Sequence, residues 1–136
     1  MTFALRNLTK QATPRIPFER MARRALGTNY DLSVVLVGNS RSRTLNRHYR
    51  GKDKAANVLS FPIDRHTGEL FLNLGRRSTR RLAFLFIHGL LHLKGLDHGS
   101  KMESLESQLV NYFQINEPHD RRRVGRGKRV RSRRRL

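Results

Sequence analysis

The stretch that decides the fold covers residues 78–98 and reads STRRLAFLFIHGLLHLKGLDH. Residues 82–93 are apolar nearly all round, which is typical of a helix in the middle of a core. Ser78 or Thr79 is placed to cap the start of this helix, and Gly95 is placed to end it. The apolar run is shorter than the roughly 20 residues that a membrane span needs. We therefore expect a buried helix and no association with a membrane.

The residues before this helix alternate between strand and helix patterns. Residues 32–37 (LSVVLV) form a near-continuous apolar run, as expected of a strand covered on both faces. Residues 17–26 predict a helix that ends at Gly27. The first 27 residues are rich in Arg and resemble a cleavable targeting peptide, but the predicted helix argues for a folded N-terminus instead. The apolar face of that helix comprises Phe18, Met21, Ala22, Ala25 and Leu26. Further strands are predicted at residues 2–8, 57–62 and 70–74, with a short helix after a turn at 38–42.

Three local signals complete the predicted architecture. Pro62 suggests an edge position for its strand, and a turn at residues 64–68 makes the next strand its hairpin partner. The sequence from Ser100 to Glu103 matches a capping box at the start of the last helix. The buried face of that helix would comprise Met102, Leu105, Leu109 and Tyr112 or Phe113. The order β-α-β-α-β-β-α-α predicts a single α/β domain with a small mixed sheet packed by helices.

Charge divides the chain into two parts. The formal net charge is +19, from 29 Lys and Arg against 10 Asp and Glu. Residues 121–136 hold nine Arg and one Lys without an acidic residue. We therefore predict a folded domain over residues 1–117 and a basic tail over 118–136 that is disordered when unbound. Arginine suits phosphate, so the tail, beginning with Arg121, Arg122 and Arg123, is predicted to bind RNA, although a positive field also attracts anionic membranes.

Three of the six histidines lie within the stretch that decides the fold. His88 and His92 are four residues apart, so they project from one helical face with Cβ atoms about 5–6 Å apart. Gly95 can adopt a positive φ and return the chain, which brings His98 back toward them. The chain has no cysteine, and three nitrogen ligands predict one zinc ion, with nickel or copper as alternatives. The other interpretation is a set of hydrogen-bonded core histidines, but an unsatisfied buried imidazole costs about 1–3 kcal/mol.

The histidine spacing overlaps the pattern H-E-x-x-H-x-x-G-x-x-H of metzincin peptidases, and the helix is in that sense zincin-like. The glutamate of that pattern is the general base of peptide hydrolysis. Gly89 stands in its place here and has no side chain for this role. The geometry of a metal site is therefore kept, while the prediction of a peptidase loses most of its support.

Two blocks of the chain resemble the YbeY family of endoribonucleases. The first is HGLLHLKGLDH at residues 88–98, and the second is LNRHYRGKDKAANVLSFP at residues 45–62. The resemblance implies a single-strand-specific, metal-dependent endoribonuclease that acts in ribosomal RNA maturation and ribosome quality control. It implies His88, His92 and His98 as metal ligands, Arg50 as a residue needed for RNA cleavage, and contact with the small ribosomal subunit. The short connection between Leu74 and the metal helix departs from the family pattern.

Further residues are candidate contacts to the metal ligands or to RNA. Asp97 either orients a ligand histidine or caps the turn before the last helix. Four arginines surround the start of the metal helix, where cations oppose the helix dipole, so bound RNA phosphate would stabilise them. They are Arg76, Arg77, Arg80 and Arg81, for which a solvated surface cluster is the alternative.

Three functional classes follow from these observations. The leading one is a cytoplasmic, zinc-dependent endoribonuclease that binds single-stranded and ribosomal RNA, with a monomer as the default state. The second is a ribosome-assembly factor without catalysis, in which the three histidines hold a structural metal. The third is a metallopeptidase, which Gly89 disfavours.

Overall fold

The computed structural model describes residues 1–115. The predicted tail, with Arg121, Arg122 and Arg123, and the predicted boundary at residue 117 lie outside the described residues. The described part has the predicted order of strands and helices. The elements are β1 (Thr2–Asn7), α1 (Phe18–Leu26), β2 (Asp31–Val37), α2 (Asn39–Arg50), β3 (Val58–Asp64), β4 (Thr67–Asn73), α3 (Thr79–Leu93) and α4 (Ser100–Tyr112).

The four strands form one mixed sheet in the order β1-β2-β4-β3. β2 pairs in parallel with both β1 and β4, and β3 pairs antiparallel with β4 as the second half of a hairpin. β2 is therefore a central strand, which is why residues 32–37 are almost continuously apolar. β3 lies at the edge and contains Pro62, beside an irregularity between Pro62 and Asp64. Both the mixed sheet and the edge position of Pro62 are confirmed.

The two faces of the sheet carry different helices. Val34, Leu36, Leu70 and Leu72 point into one core with α1 and α3, whose Phe18 and Phe86 rings meet edge to face at 5.0 Å. Their strand neighbours point to the opposite face, where Asn39 at the start of α2 accepts a 2.7 Å hydrogen bond from Asn73 of β4. The metal-site helix α3 therefore lies in the core, and α2 lies on the other side of the sheet. Ten residues of α3 are buried.

Local predictions at two helix starts were wrong. α2 begins at Asn39, inside the predicted turn at residues 38–42. α4 has Gly99 at its N-cap with φ +153° and no side-chain cap, so the predicted capping box does not form. Ser100 already lies in the first turn of α4, where its hydroxyl cannot take the cap position. Tyr112 is 54% exposed, and it is Phe113 that packs partly against the core.

No helix among residues 1–115 combines the length and the apolar character needed to cross a bilayer.

Candidate metal centre

Helix α3 carries His88 and His92, and the turn after its C-terminal end brings His98 back toward them. Ser78 at the N-cap accepts a hydrogen bond of 3.1 Å from the backbone N–H of Arg81, as predicted. Past the other end, Gly95 has φ +96° and its N–H donates to the carbonyl of His92 at 3.0 Å. This reversal carries His98 back over the helix. The rings of His88 and His92 are 4.8 Å apart, and the His98 ring lies 5.1 and 5.2 Å from them.

The three histidines fit a single transition-metal ion. One nitrogen from each ring can be chosen so that all three lie within 4.8 Å of one another. The Nε2 atoms of His88 and His92 are 3.3 Å apart. Two nitrogens bound at about 2.0–2.1 Å to one tetrahedral ion are roughly 3.3–3.4 Å apart, so this pair already has the spacing of bound ligands. The described residues thus bring together the three histidines that the sequence predicted as metal ligands.

Glu106 is the residue of the site that the sequence analysis missed. Its Oε2 lies 2.9 Å from Nδ1 of His88, and the two side chains are 16% and 12% exposed. The carboxylate accepts a hydrogen bond from Nδ1–H of His88, which fixes the ring and leaves the lone pair of Nε2 available to a metal ion. Glu106 lies on α4, so the hydrogen bond also ties the last helix to the metal helix. Glu106 lies four residues after Met102 and three before Leu109, on the apolar face of α4, and this position was the sequence signal that could have identified it. Its partner His88 is decided by the packing of α4 on α3.

The electrostatics at His92 favour the form that binds a metal. Burial lowers the pKa of this imidazole below its usual value, and the neighbouring His88 and His98 lower it further. A hydrogen bond with the backbone of Leu96 and the charge of Asp97 act in the opposite sense. The ring is therefore neutral at pH 7, and its lone pair is available to a metal ion.

Position 89 is a glycine because the sheet packs directly against it. A Cβ atom at this position would lie 2.8 Å from Leu70 Cδ1, 2.8 Å from Val58 Cγ2 and 3.2 Å from Ser60 Oγ. The Ser60 hydroxyl also donates a 2.9 Å hydrogen bond to the carbonyl of Gly89. The position of the metzincin glutamate is thus pressed against β3 and β4, where a side chain fits only if Leu70 and Val58 shift. This packing disfavours a peptidase base at position 89.

Asp97 and Arg50, the other two predicted site residues outside the arginine group, are both exposed. Asp97 makes no hydrogen bond to a histidine ring within residues 1–115, and it is Glu106 that orients a histidine of the cluster. Arg50 is the last residue of α2, before Gly51 with φ +69°, and its side chain is exposed. None of the four ion pairs in the described part of the chain includes Arg50.

The four arginines at the start of α3 differ in their surroundings. Arg77 donates to the carbonyl of Asn73 at 3.0 Å and to Asn57 Oδ1, so it anchors the loop before α3 to the start of β3. Burial and then the charge of Arg81 lower its pKa. Arg81 lies 5.9 Å from the Phe84 ring, Arg80 is half-buried, and Arg76 is exposed. Arg77 therefore has a structural role, which weakens its prediction as an RNA contact.

Similarity to known proteins points to one family. The family model described as Endoribonuclease YbeY matches residues 4–114. Curated proteins of that description are similar to this chain. The one from Chromohalobacter salexigens is 36% identical over 121 residues, which covers 73% of this chain and 79% of the relative. The one from Verminephrobacter eiseniae is 32% identical over 130 residues, which covers 82% of this chain and 84% of the relative. A solution structure from Thermotoga maritima shares the fold with a TM-score of 0.58 at 20% identity, covering 94% of this chain and 100% of its own.

The family match includes every element that builds the three-histidine cluster. It spans α3 with His88 and His92, the turn with His98, and α4 with Glu106. The chain belongs to the endoribonuclease YbeY family.

Proposed function

We propose that this chain is a metal-dependent endoribonuclease that cleaves single-stranded RNA and acts in ribosomal RNA maturation and ribosome quality control. The observation that carries the proposal is the cluster of His88, His92 and His98, whose ligand nitrogens lie within 4.8 Å of one another in a chain of this family. Zinc is the proposed ion because three imidazole nitrogens without cysteine are typical of catalytic zinc sites, and nickel or copper would suit the same donors.

The protein side chains prepare the site for phosphodiester chemistry. A divalent ion held by the three nitrogens supplies a Lewis acid for a phosphoryl oxygen and makes nearby water more acidic. Glu106 holds His88 in the tautomer with a lone pair on Nε2, and burial keeps His92 neutral. His98 is exposed, so it marks the side of the cluster that faces solvent and substrate.

Arg50 is the proposed catalytic cation. A guanidinium that contacts the reacting phosphate stabilises the negative charge that grows in the transition state. Support comes from its position in the family-like block, its exposure, and the absence of an ion-pair partner among residues 1–115. The segment after Arg50 leads into β3, whose Ser60 contacts the metal helix at Gly89.

The proposed partners follow from charge. A net charge of +19 favours RNA, and Arg76, Arg80, Arg81 and the tail arginines Arg121, Arg122 and Arg123 are the proposed phosphate contacts. We further propose contact with the small ribosomal subunit, a cytoplasmic location, a monomer as the default state, and an RNA-binding tail at 118–136.

The test is cleavage of matched single-stranded and duplex fragments of ribosomal RNA by the purified protein. His92→Ala should abolish cleavage and metal binding together, whereas Arg50→Ala should abolish cleavage with metal content unchanged. Arg41→Ala is the matched control, since Arg41 is also an exposed arginine of α2. Equal cleavage by the parent and all variants would indicate a contaminating nuclease. Binding without cleavage by the parent would favour an assembly factor instead.

A further inference from the structure

A row of aromatic rings crosses from α2 to the edge of the sheet, on the side away from the metal helix. The rings of His48 and Tyr49 are 4.6 Å apart, Tyr49 and Phe61 are 5.5 Å apart, and Phe61 and Phe71 are 5.8 Å apart. We call these four residues the aromatic row. Tyr49 is 63% exposed, and Phe61 and Phe71 are half-buried. Folding has therefore left much of this apolar surface in contact with water.

The direction of the side chains places the row on the outer face of the sheet. Ser60 and Leu70 point toward Gly89 of α3. Their neighbours Phe61 and Phe71 must point to the opposite face, because successive side chains of a strand alternate. The two phenylalanines lie on β3 and β4 near the edge of the sheet, where Ile63 of β3 adds a further apolar side chain that is 67% exposed.

The charges around the row are mostly positive. Arg50 and Lys52 lie one and three residues after Tyr49 in the chain, both are exposed, and neither takes part in an ion pair of the described residues. Asp53 is already shared by Arg43 and Arg47 at 2.8 and 3.2 Å. On the other side of the row, Glu69 is the register partner of Phe61. The cations can hold a phosphate backbone on the α2 side, and the carboxylate can accept hydrogen bonds from amino groups of bases.

We propose that the aromatic row is a base-stacking site for single-stranded RNA, with unpaired bases on Tyr49 and Phe61 and the backbone beside Arg50 and Lys52. Exposed rings beside cations bind single strands because stacking needs a base face that a duplex does not offer. The inference rests on the proposed function for its substrate class and deepens it.

The test separates stacking from phosphate binding in the full-length, metal-loaded protein. Two fluorescent probes of equal length are used: a 2′-O-methyl oligoadenylate, whose integrity is checked after each measurement, and an abasic strand with the same phosphates. Tyr49→Ala and Tyr49→Leu should weaken binding of the oligoadenylate by roughly 5- to 100-fold, as for the loss of a base–aromatic stack. Binding of the abasic strand should not change, and Tyr49→Phe should restore the parent affinity.

Tyr112→Ala is the matched control, because Tyr112 is also an exposed tyrosine of a helix, 54% exposed, but lies outside the row. It should bind both probes like the parent. Tyr49→Leu keeps an apolar contact to Phe61, so it tests the ring even if the alanine variant fails to fold. Unchanged oligoadenylate affinity in the Tyr49 variants, or equal losses for both probes, would overturn the stacking site. Because the probes report binding alone, a protein that stacks bases but cleaves no RNA would overturn the proposed function and not this inference.

Discussion

At the scale of single residues, one carboxylate and one glycine set the properties of the metal centre. Glu106 supports His88 from a second helix and thereby decides which ring nitrogen faces the cluster. Gly89 lets the same helix lie directly on Leu70 and Val58. The first residue tunes the chemistry of a ligand, and the second fixes the depth at which the ligands sit.

Glu106→Gln should weaken metal binding about 10- to 100-fold, as is usual for loss of a carboxylate that supports a metal-bound histidine. The amide keeps the shape of the side chain, but its neutral oxygen accepts a weaker hydrogen bond from the imidazole N–H than a carboxylate does. Competition with a chelator of known affinity measures the effect. Glu103→Gln is the matched control, because Glu103 is an exposed residue of the same helix. Equal metal affinities of the two variants would remove Glu106 from the site.

Gly89→Ala should lower the free energy of unfolding by about 1–2 kcal/mol, despite the better helix propensity of alanine. The added methyl group overlaps Leu70 and Val58, each with an atom 2.8 Å from its position. Urea unfolding in parent and Val58→Ala backgrounds tests this contact, since the loss should shrink where Val58 is truncated. An identical loss in both backgrounds would show that overlap with Val58 is not the cause.

At the scale of elements, the position of α3 depends on the hydrogen bonds that its two ends make. Its start has a side-chain cap from Ser78, whereas α4 starts from Gly99 without one. After α3 the chain reverses at Gly95, whose positive φ allows the turn that brings His98 to the cluster. The helix that carries two ligands is thus held at both ends by local hydrogen bonds, and the third ligand belongs to its C-terminal turn.

Ser78→Ala should destabilise the protein by about 1 kcal/mol, which is typical of losing an N-cap hydroxyl. Ser100→Ala should change the stability by no more than roughly 0.5 kcal/mol, because that hydroxyl caps no helix and is exposed. Thermal unfolding of the two variants beside the parent measures both values. The reverse order of stabilities would mean that the capping box at Ser100 forms after all.

At the scale of the whole molecule, excess positive charge is spread along the chain. Arg50 and Lys52 beside the aromatic row, the arginines at the start of α3 and the sequence of the tail all contribute cations, and the net charge is +19. Such a surface binds phosphate without reading sequence, so sequence or strand preference has to come from the metal centre and the aromatic row.

RNA affinity should fall steeply with salt, and removal of residues 118–136 should reduce the slope. The tail sequence carries nine Arg and one Lys after residue 120, so up to about seven units of the log–log slope for single strands belong to it. Anisotropy titrations between low and moderate salt measure both slopes. A slope that is the same in the full chain and the truncated chain would contradict RNA binding by the tail.

Much of this protein follows from local sequence. The order of elements, the edge position of Pro62, the cap at Ser78 and the return at Gly95 were all predicted, because each depends on periodicity or on the backbone of one residue type. The ligand set His88, His92 and His98 was predicted for the same reason, since a helical repeat and one turn relate its members. The capping box at Ser100 was wrong because the conformation of Gly99 replaces it.

Other features were decided only by tertiary structure. Glu106 reaches His88 because α4 packs on α3, and Gly89 is required because a sheet lies against it. Arg77 turned inward to Asn73 and Asn57, although its sequence context matched that of exposed Arg76. The aromatic row joins residues of three elements that are up to 23 positions apart. Such contacts depend on how the sheet and the helices pack. Sequence periodicity predicts on which face of its helix or strand a residue lies, but not which other element packs against that face.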